Sequence, residues 1–449
     1  MDPHPAPASP PGGPPAPEAA PPDRAGLLWL VVLAIVAGAL TGLIGAAFRW
    51  TLEAAGRLRD VALLWAGTAP ADGARLAMVI GGAALACALA AWMVRRIAPL
   101  ASGSGIPHAE AVLRGKAQPA PLALIPVKFF GGTLAIGSGL ALGREGPSVQ
   151  MGASIGHALA RLCRRPEAEQ RALLAACAGA GLATAFNAPF AGAVFVLEEL
   201  LQRFEHRTAL AALLASASAM LVARWLLGAA PDFPLAELAQ PPLAALPLFA
   251  GLGLVLGLLA VFYNRTILGT LALADRVRGV PVEVRAGLLG AAVAAIGLNA
   301  PWLIGGGDGL SAEALRGEAV LATLPLILAA RWVLGALSYA AATPGGLFAP
   351  LLVLGAEAGL LFGAGAAAAF PLLGLDARGF ALVGMAAFFA GVVRAPLTGM
   401  ILVTEMTLNV TLLLPMLAAC GTAILVAMLL RDAPIYEALA ERAGRRPGP

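Results

Sequence analysis

Charge is what this 449-residue chain has least of: Asp, Glu, Lys and Arg together make 12% of it, against 59% apolar residues. A soluble protein of this length needs far more polar side chains to cover its core, so a soluble fold is excluded. The formal net charge of +4 is small for the length and gives no footing for binding nucleic acid. Only four cysteines are present (Cys87, Cys163, Cys177, Cys420), scattered and without a CxxC pair. Neither a zinc site nor a disulfide framework is indicated. Four histidines with no H-x-x-x-H spacing argue against a catalytic metal. No Gly-Lys-Ser/Thr phosphate loop follows any glycine cluster, so no nucleotide is expected.

What is present in quantity is apolar sequence, with a mean hydropathy of +0.83. The expected class is an all-α polytopic membrane protein. Residues 1–24 are rich in Pro and Ala and read as a disordered tail, with no basic start to make them a signal peptide. Gly26–Phe48 is the first span, continuing as a tilted helix past Arg49, Arg57 and Arg59. Further spans or apolar runs are expected at Ala74–Val94, Pro121–Leu142, Val149–Leu162, Leu173–Leu201 (broken at Asn187-Ala-Pro189), Thr208–Leu227, Pro242–Tyr263, Ala286–Ile304, Leu321–Tyr339, Phe380–Val403 and Thr411–Leu430. Arg265–Arg285 reads as a charged linker and Gly305–Arg316 as a glycine-rich loop. A basic tail, 441–449, closes the chain.

Three glycine-rich breaks interrupt this apolar background. Gly143-Arg144-Glu145-Gly146-Pro147 holds a carboxylate within a hydrophobic layer, where a charge is costly and calls for a function. Glycines let the backbone bend and approach a ligand, and Pro147 suits the first turn of a helix. The positive end of that helix is an anion site for which Glu145 and a small anion would compete. Ser102-Gly103-Ser104-Gly105-Ile106-Pro107 repeats the design and adds the Ser104 hydroxyl as a donor. Ser102 stands where a hydrolase nucleophile elbow needs glycine, so that enzyme reading fails. Thr343-Pro-Gly-Gly346-Leu347-Phe348-Ala-Pro350 is the third break, with the N–H groups of Leu347 and Phe348 as a cradle. Singly, each break is also what a tight turn looks like. Lys128 is an intramembrane cation that either neutralises an anion path or reaches to the interface. Glu198 and Glu199 read alone as a solvated helix end, and Tyr436 as an interfacial anchor.

A shift of 207 residues superposes Ala188-Pro-Phe-Ala-Gly-Ala-Val-Phe-Val-Leu-Glu198 on Ala395-Pro-Leu-Thr-Gly-Met-Ile-Leu-Val-Thr-Glu405. Matching broken segments in two halves, about 25–205 and 240–430, point to a transporter whose site lies between the repeats. Backbone breaks at membrane depth survive only where they line a cavity or meet a ligand. The glycine breaks therefore belong to a binding site.

Taken in order, Gly103-Ser-Gly-Ile-Pro107, Gly143-Arg-Glu-Gly-Pro147 and Gly346-Leu-Phe-Ala-Pro350 resemble the CLC chloride channel and transporter family. Ala185-Phe-Asn-Ala-Pro189, Arg394-Ala-Pro-Leu-Thr-Gly399 and Pro434-Ile-Tyr436 add to the match, which covers about 27–440. The resemblance implies an all-helical homodimer in the inner (plasma) membrane, each subunit carrying its own pore between two inverted-topology repeats within a 25–440 transmembrane domain. It implies chloride as the bound substrate, with no cofactor, held by Ser104, Tyr436 and the amides of Leu347 and Phe348. Glu145 is then the gate and Glu199 the inner proton-transfer acid, which favours chloride/proton antiport over a passive chloride channel of the same fold. Protons, chloride, lipid and a second copy are the implied partners; no enzyme activity is. His108 stands where many relatives have an acid, Glu110 is kept, and Glu357 falls in an apolar helix with no assigned role.

Overall fold

The computed structural model describes residues 24–67, 73–235, 238–277 and 279–444. The first half contains α1 (Arg24–Gly67), α2 (Gly73–Arg96), α3 (Ile106–Leu113), α4 (Leu124–Gly137), α5 (Glu145–Leu162), α6 (Glu167–Phe186), α7 (Pro189–Phe195) and α8 (His206–Leu227). The second half contains α9 (Leu246–Arg276), α10 (Val282–Gly297), α11 (Asp308–Arg316), α12 (Leu324–Tyr339), α13 (Phe348–Ala369), α14 (Ala377–Val393), α15 (Pro396–Thr407), α16 (Leu413–Leu429) and α17 (Ile435–Gly444). No strand is formed among the described residues beyond two isolated bridges. Residues 1–23 of the expected tail and 445–449 of the basic end lie outside the described residues, whereas 441–444 are helical.

Among the described residues five helices are long and apolar enough to cross a membrane, and four more apolar helices have 10–17 residues. Helix α1 has 44 residues. At the usual rise it is about 66 Å long, twice the hydrocarbon thickness, so it must lean or project beyond it.

Three expectations are corrected. The charged stretch from Arg265 is not a linker, because α9 continues to Arg276 and carries those charges on its last turns. Gly305–Arg316 is a loop only as far as Gly307, whose positive φ turns the chain into α11. Leu310, Ala314 and Leu315 bury one side of that short helix, which the glycines had masked. The run Phe380–Val403 is broken at Arg394, in the left-handed region at φ 75°, before Pro396 starts α15.

The two halves are joined at α7 and α15. Both helices start at a proline after an alanine of nearly the same backbone shape, φ/ψ −128/81 at Ala188 and −117/73 at Ala395. Helix starts leave N–H groups without partners. Here each half fills the other's: Glu198 accepts from the amides of Leu397 (2.9 Å) and Thr398 (2.7 Å) and from the Thr398 hydroxyl (2.8 Å). Glu405 accepts from the amides of Phe190 (3.1 Å) and Ala191 (2.8 Å). The repeat seen in the sequence is thus a reciprocal pair of helix caps, and Glu198 is structural, not solvated. Glu198→Ala and Glu405→Ala should each lower stability by about 1–3 kcal/mol, the range for losing a charged cap. Glu198→Ala loses one bond more and should give the larger drop in melting temperature; equal melting temperatures for both variants and the parent would refute the pairing.

Candidate functional site

The third glycine break, far from the others in sequence, is hydrogen-bonded to both of them. The Gly103 amide donates to Thr343 O (3.0 Å) and the Gly345 amide to Gly103 O (3.1 Å). Gly143 and Gly346 exchange both bonds, Gly143 N to Gly346 O at 2.9 Å and Gly346 N to Gly143 O at 2.8 Å. Two glycines are required by geometry. Gly105 sits at φ +86°, which a side chain would strain. A Cβ on Gly146 would lie 2.5 Å from the Ser104 hydroxyl and 2.7 Å from its Cα, so this contact fixes Ser104 against the start of α5.

Glu145 begins α5 and is wholly buried. Its Oε1 accepts from the amides of Phe348 (2.6 Å) and Ala349 (3.4 Å), the first free N–H groups of α13. Oε2 has no hydrogen-bond partner. A carboxylate is thus seated on the positive end of a helix from the other half of the chain. With it seated, the donors are Phe348 and Ala349; Leu347, at the cap position before the helix, does not donate to it.

Around this carboxylate the expected residues converge. Ser104 is 1% exposed, and its Oγ accepts weakly from the Ile106 amide at 3.5 Å. Tyr436, on the first turn of α17, is fully buried; its ring stacks on Phe348 at 6.3 Å and its hydroxyl has no partner. Tyr436 lies within electrostatic reach of both Glu145 and Glu199. An unpaired buried hydroxyl costs about 1–3 kcal/mol. An anion beside Tyr436 would relieve that cost; a proton on Oε2 would ease the seated carboxylate.

Arg144 turns away from Glu145: its Nε donates to Ala185 O (2.8 Å) and its Nη2 to Asp232 (3.0 Å), which also pairs with Arg49 at 2.5 Å. Lys128, one of two lysines in the chain, neither reaches to the interface nor stands free in an anion path. Its buried Nζ donates to the carbonyls of Gly103 (2.7 Å) and Ser104 (3.2 Å), holding the serine loop from behind.

Below the serine loop opens a cavity of about 690 Å³, walled by Gly103, His108, Glu110, Arg114, Tyr339 and Glu437. Glu199 lies in the π-helical turn 196–200 that ends α7 and is 4% exposed. It shares a local field with Glu110, Glu198, Arg114 and Glu437. Arg114 pairs directly with Glu110. His108 lies on the cavity wall between the Gln118 carbonyl (3.1 Å) and the Gln150 amide nitrogen (3.3 Å).

Glu357 has an account that sequence could not give. It is 1% exposed with neither oxygen hydrogen-bonded, and it faces Arg331 of α12 across the fold. Arg331 spends its nitrogens on the carbonyls of Leu303 (3.0 Å), Gly305 (2.7 Å) and Gly306 (2.8 Å). Glu357 is a buried acid within electrostatic reach of that guanidinium.

A family model described as voltage gated chloride channel matches residues 84–428. The H(+)/Cl(-) exchange transporter ClcA of Citrobacter koseri is 37% identical over 421 residues, covering 92% of this chain and 89% of that one. The same transporter of Salmonella typhi is 37% identical over 425 residues, with the same coverage. Among solved structures, a slow cyanobacterial Cl-/H+ antiporter superposes with a TM-score of 0.88 at 32% identity, covering 92% of this chain and 97% of that one. A eukaryotic CLC transporter superposes at 0.79 with 25% identity, over 93% and 74%.

Proposed function

The chain belongs to the voltage gated chloride channel family, and on that premise we propose that it exchanges chloride for protons across a bacterial inner membrane, with Glu145 as the gate. One observation carries the reading: a wholly buried carboxylate occupies the amide cradle at the start of α13 with one oxygen unpaired. Charged, the carboxylate binds those N–H donors strongly; protonated, it loses most of that attraction and yields its place to an anion. Chloride then takes the amides of Leu347 and Phe348 with the hydroxyls of Ser104 and Tyr436, all donors. The two ions share one seat, so the passage of one requires the other.

Glu199 hands protons between the cavity side and Glu145, with Glu110 and Arg114 setting its local field. The cavity faces the cytoplasm. Gly103, Gly105, Ile106 and Pro107 shape one wall of the seat, and Gly143, Arg144, Gly146, Pro147 and Gly346 shape the other. The functional unit is a homodimer with one pore in each subunit, embedded in lipid and needing no cofactor. Relatives named as exchange transporters support antiport over a passive channel. In liposomes, an imposed chloride gradient should drive protons uphill. Chloride movement with no proton movement in the unaltered protein would replace this reading with the channel.

A further inference from the structure

All three tyrosines of the chain lie buried near this region, and two of them are not in the anion seat described so far. Tyr339 is the last residue of α12 and is 8% exposed, with its side chain on the wall of the large cavity. Its hydroxyl lies against the serine loop, 3.2 Å from where a Cβ on Gly103 would stand. The hydroxyl carries a proton that it can donate. Among the described residues no carbonyl or carboxylate takes that proton. The nearest open space for it is the cavity.

We propose that Tyr339 is a further chloride-contacting residue: its hydroxyl is the first donor an anion meets on leaving the cavity, ahead of Ser104 and Tyr436. The assignment rests on the exchange reading above. Its chemistry is that of a neutral donor: the Tyr339 O–H donates to chloride. The position also suits the dehydration of chloride. An ion shedding water at the narrowing of a cavity needs replacement donors in sequence, and here three hydroxyls are spaced along the way. The three arginines on the cavity wall are already engaged: Arg114 by Glu110 and Glu437, Arg442 by Asp275, and Arg285 by the Ala274 carbonyl.

The test compares the parent with Tyr339→Phe, Glu145→Ala and the double variant. Chloride binding is measured by titration calorimetry, and chloride and proton fluxes are measured in liposomes. Phenylalanine keeps the ring and removes only the oxygen, and an unchanged melting temperature checks that the fold is kept. Tyr339→Phe should weaken chloride binding by about tenfold or more and raise the KM for chloride, in line with losing one hydrogen bond to a charged group. The proton-to-chloride ratio should stay that of the parent. If the hydroxyl merely braced the serine loop, the ratio would fall and the protein would melt earlier, and the proposal would be overturned. It is equally overturned if Glu145→Ala tightens chloride binding while Tyr339→Phe leaves it unchanged or tighter. If Glu145→Ala leaves chloride binding unmoved as well, the shared seat itself is wrong, and the role of Tyr339 falls with it.

Discussion

Glu145→Gln should end proton movement while chloride continues to cross. Glutamine is nearly the same size and keeps an oxygen to face the Phe348 and Ala349 amides, so the seat is not distorted. It has no proton to release and no charge to hold it against the donors. A hydrogen bond to a charged acceptor contributes about 1.5–3 kcal/mol, against about 1 kcal/mol for a neutral one. The competitor for the seat is thus weakened by roughly one to two kcal/mol, and chloride binding should tighten by about tenfold, at 1.4 kcal/mol per decade. Two readouts follow from one change: a chloride gradient no longer moves protons in liposomes, and calorimetry reports tighter chloride. Proton pumping by Glu145→Gln at the parent's rate would mean that the carboxyl takes no part in coupling.

Glu199→Gln should also abolish proton movement, but by a different route and with a different signature. Glu199 is buried in the π-helical turn, and the proposed function groups it with Glu110 and Glu437 as a proton carrier, apart from the anion seat. Its replacement removes a proton carrier and leaves the amides of α13, Ser104 and Tyr436 as they were. Chloride binding should therefore match the parent, in contrast to the tightening expected for Glu145→Gln. Chloride flux should persist without protons. A large change in chloride affinity in Glu199→Gln would place this acid in the seat and undo the division of labour between the two carboxyls. The neighbouring Glu198 serves as the control: it is tied to Leu397 and Thr398, so its removal should show in melting temperature first.

The parts of this site that could be read from sequence are those governed by local chemistry. Glycine breaks ending in proline, a carboxylate in an apolar layer and the spacing between Glu198 and Glu405 all survive without coordinates. They led to Glu145 and Ser104, which the fold brings together; Tyr436, read alone as an interfacial anchor, came in only with the family resemblance and is fully buried beside them. The parts that could not be read depend on what lies opposite a side chain. Lys128 looked like any intramembrane cation until its two carbonyl partners were seen. Two adjacent acids, Glu198 and Glu199, differ only in direction, and a π-helical turn decides it. Tyr339 ends an ordinary apolar helix, and no pattern along the chain connects it to a serine loop more than two hundred residues earlier. The helical tail of α9 was hidden because charge marks the membrane's edge, not the end of a helix.

The exchange of caps between α7 and α15 also constrains how the protein is made. The amides of Phe190 and Ala191 leave the ribosome long before their acceptor, which follows 215 and 214 residues later. Until then the first half carries an unfinished helix start in a layer with little water to fill it. Glu198, for its part, waits for Thr398, 200 residues on. Neither half can mature ahead of the other, and the newborn chain depends on its own late segments to complete its early ones.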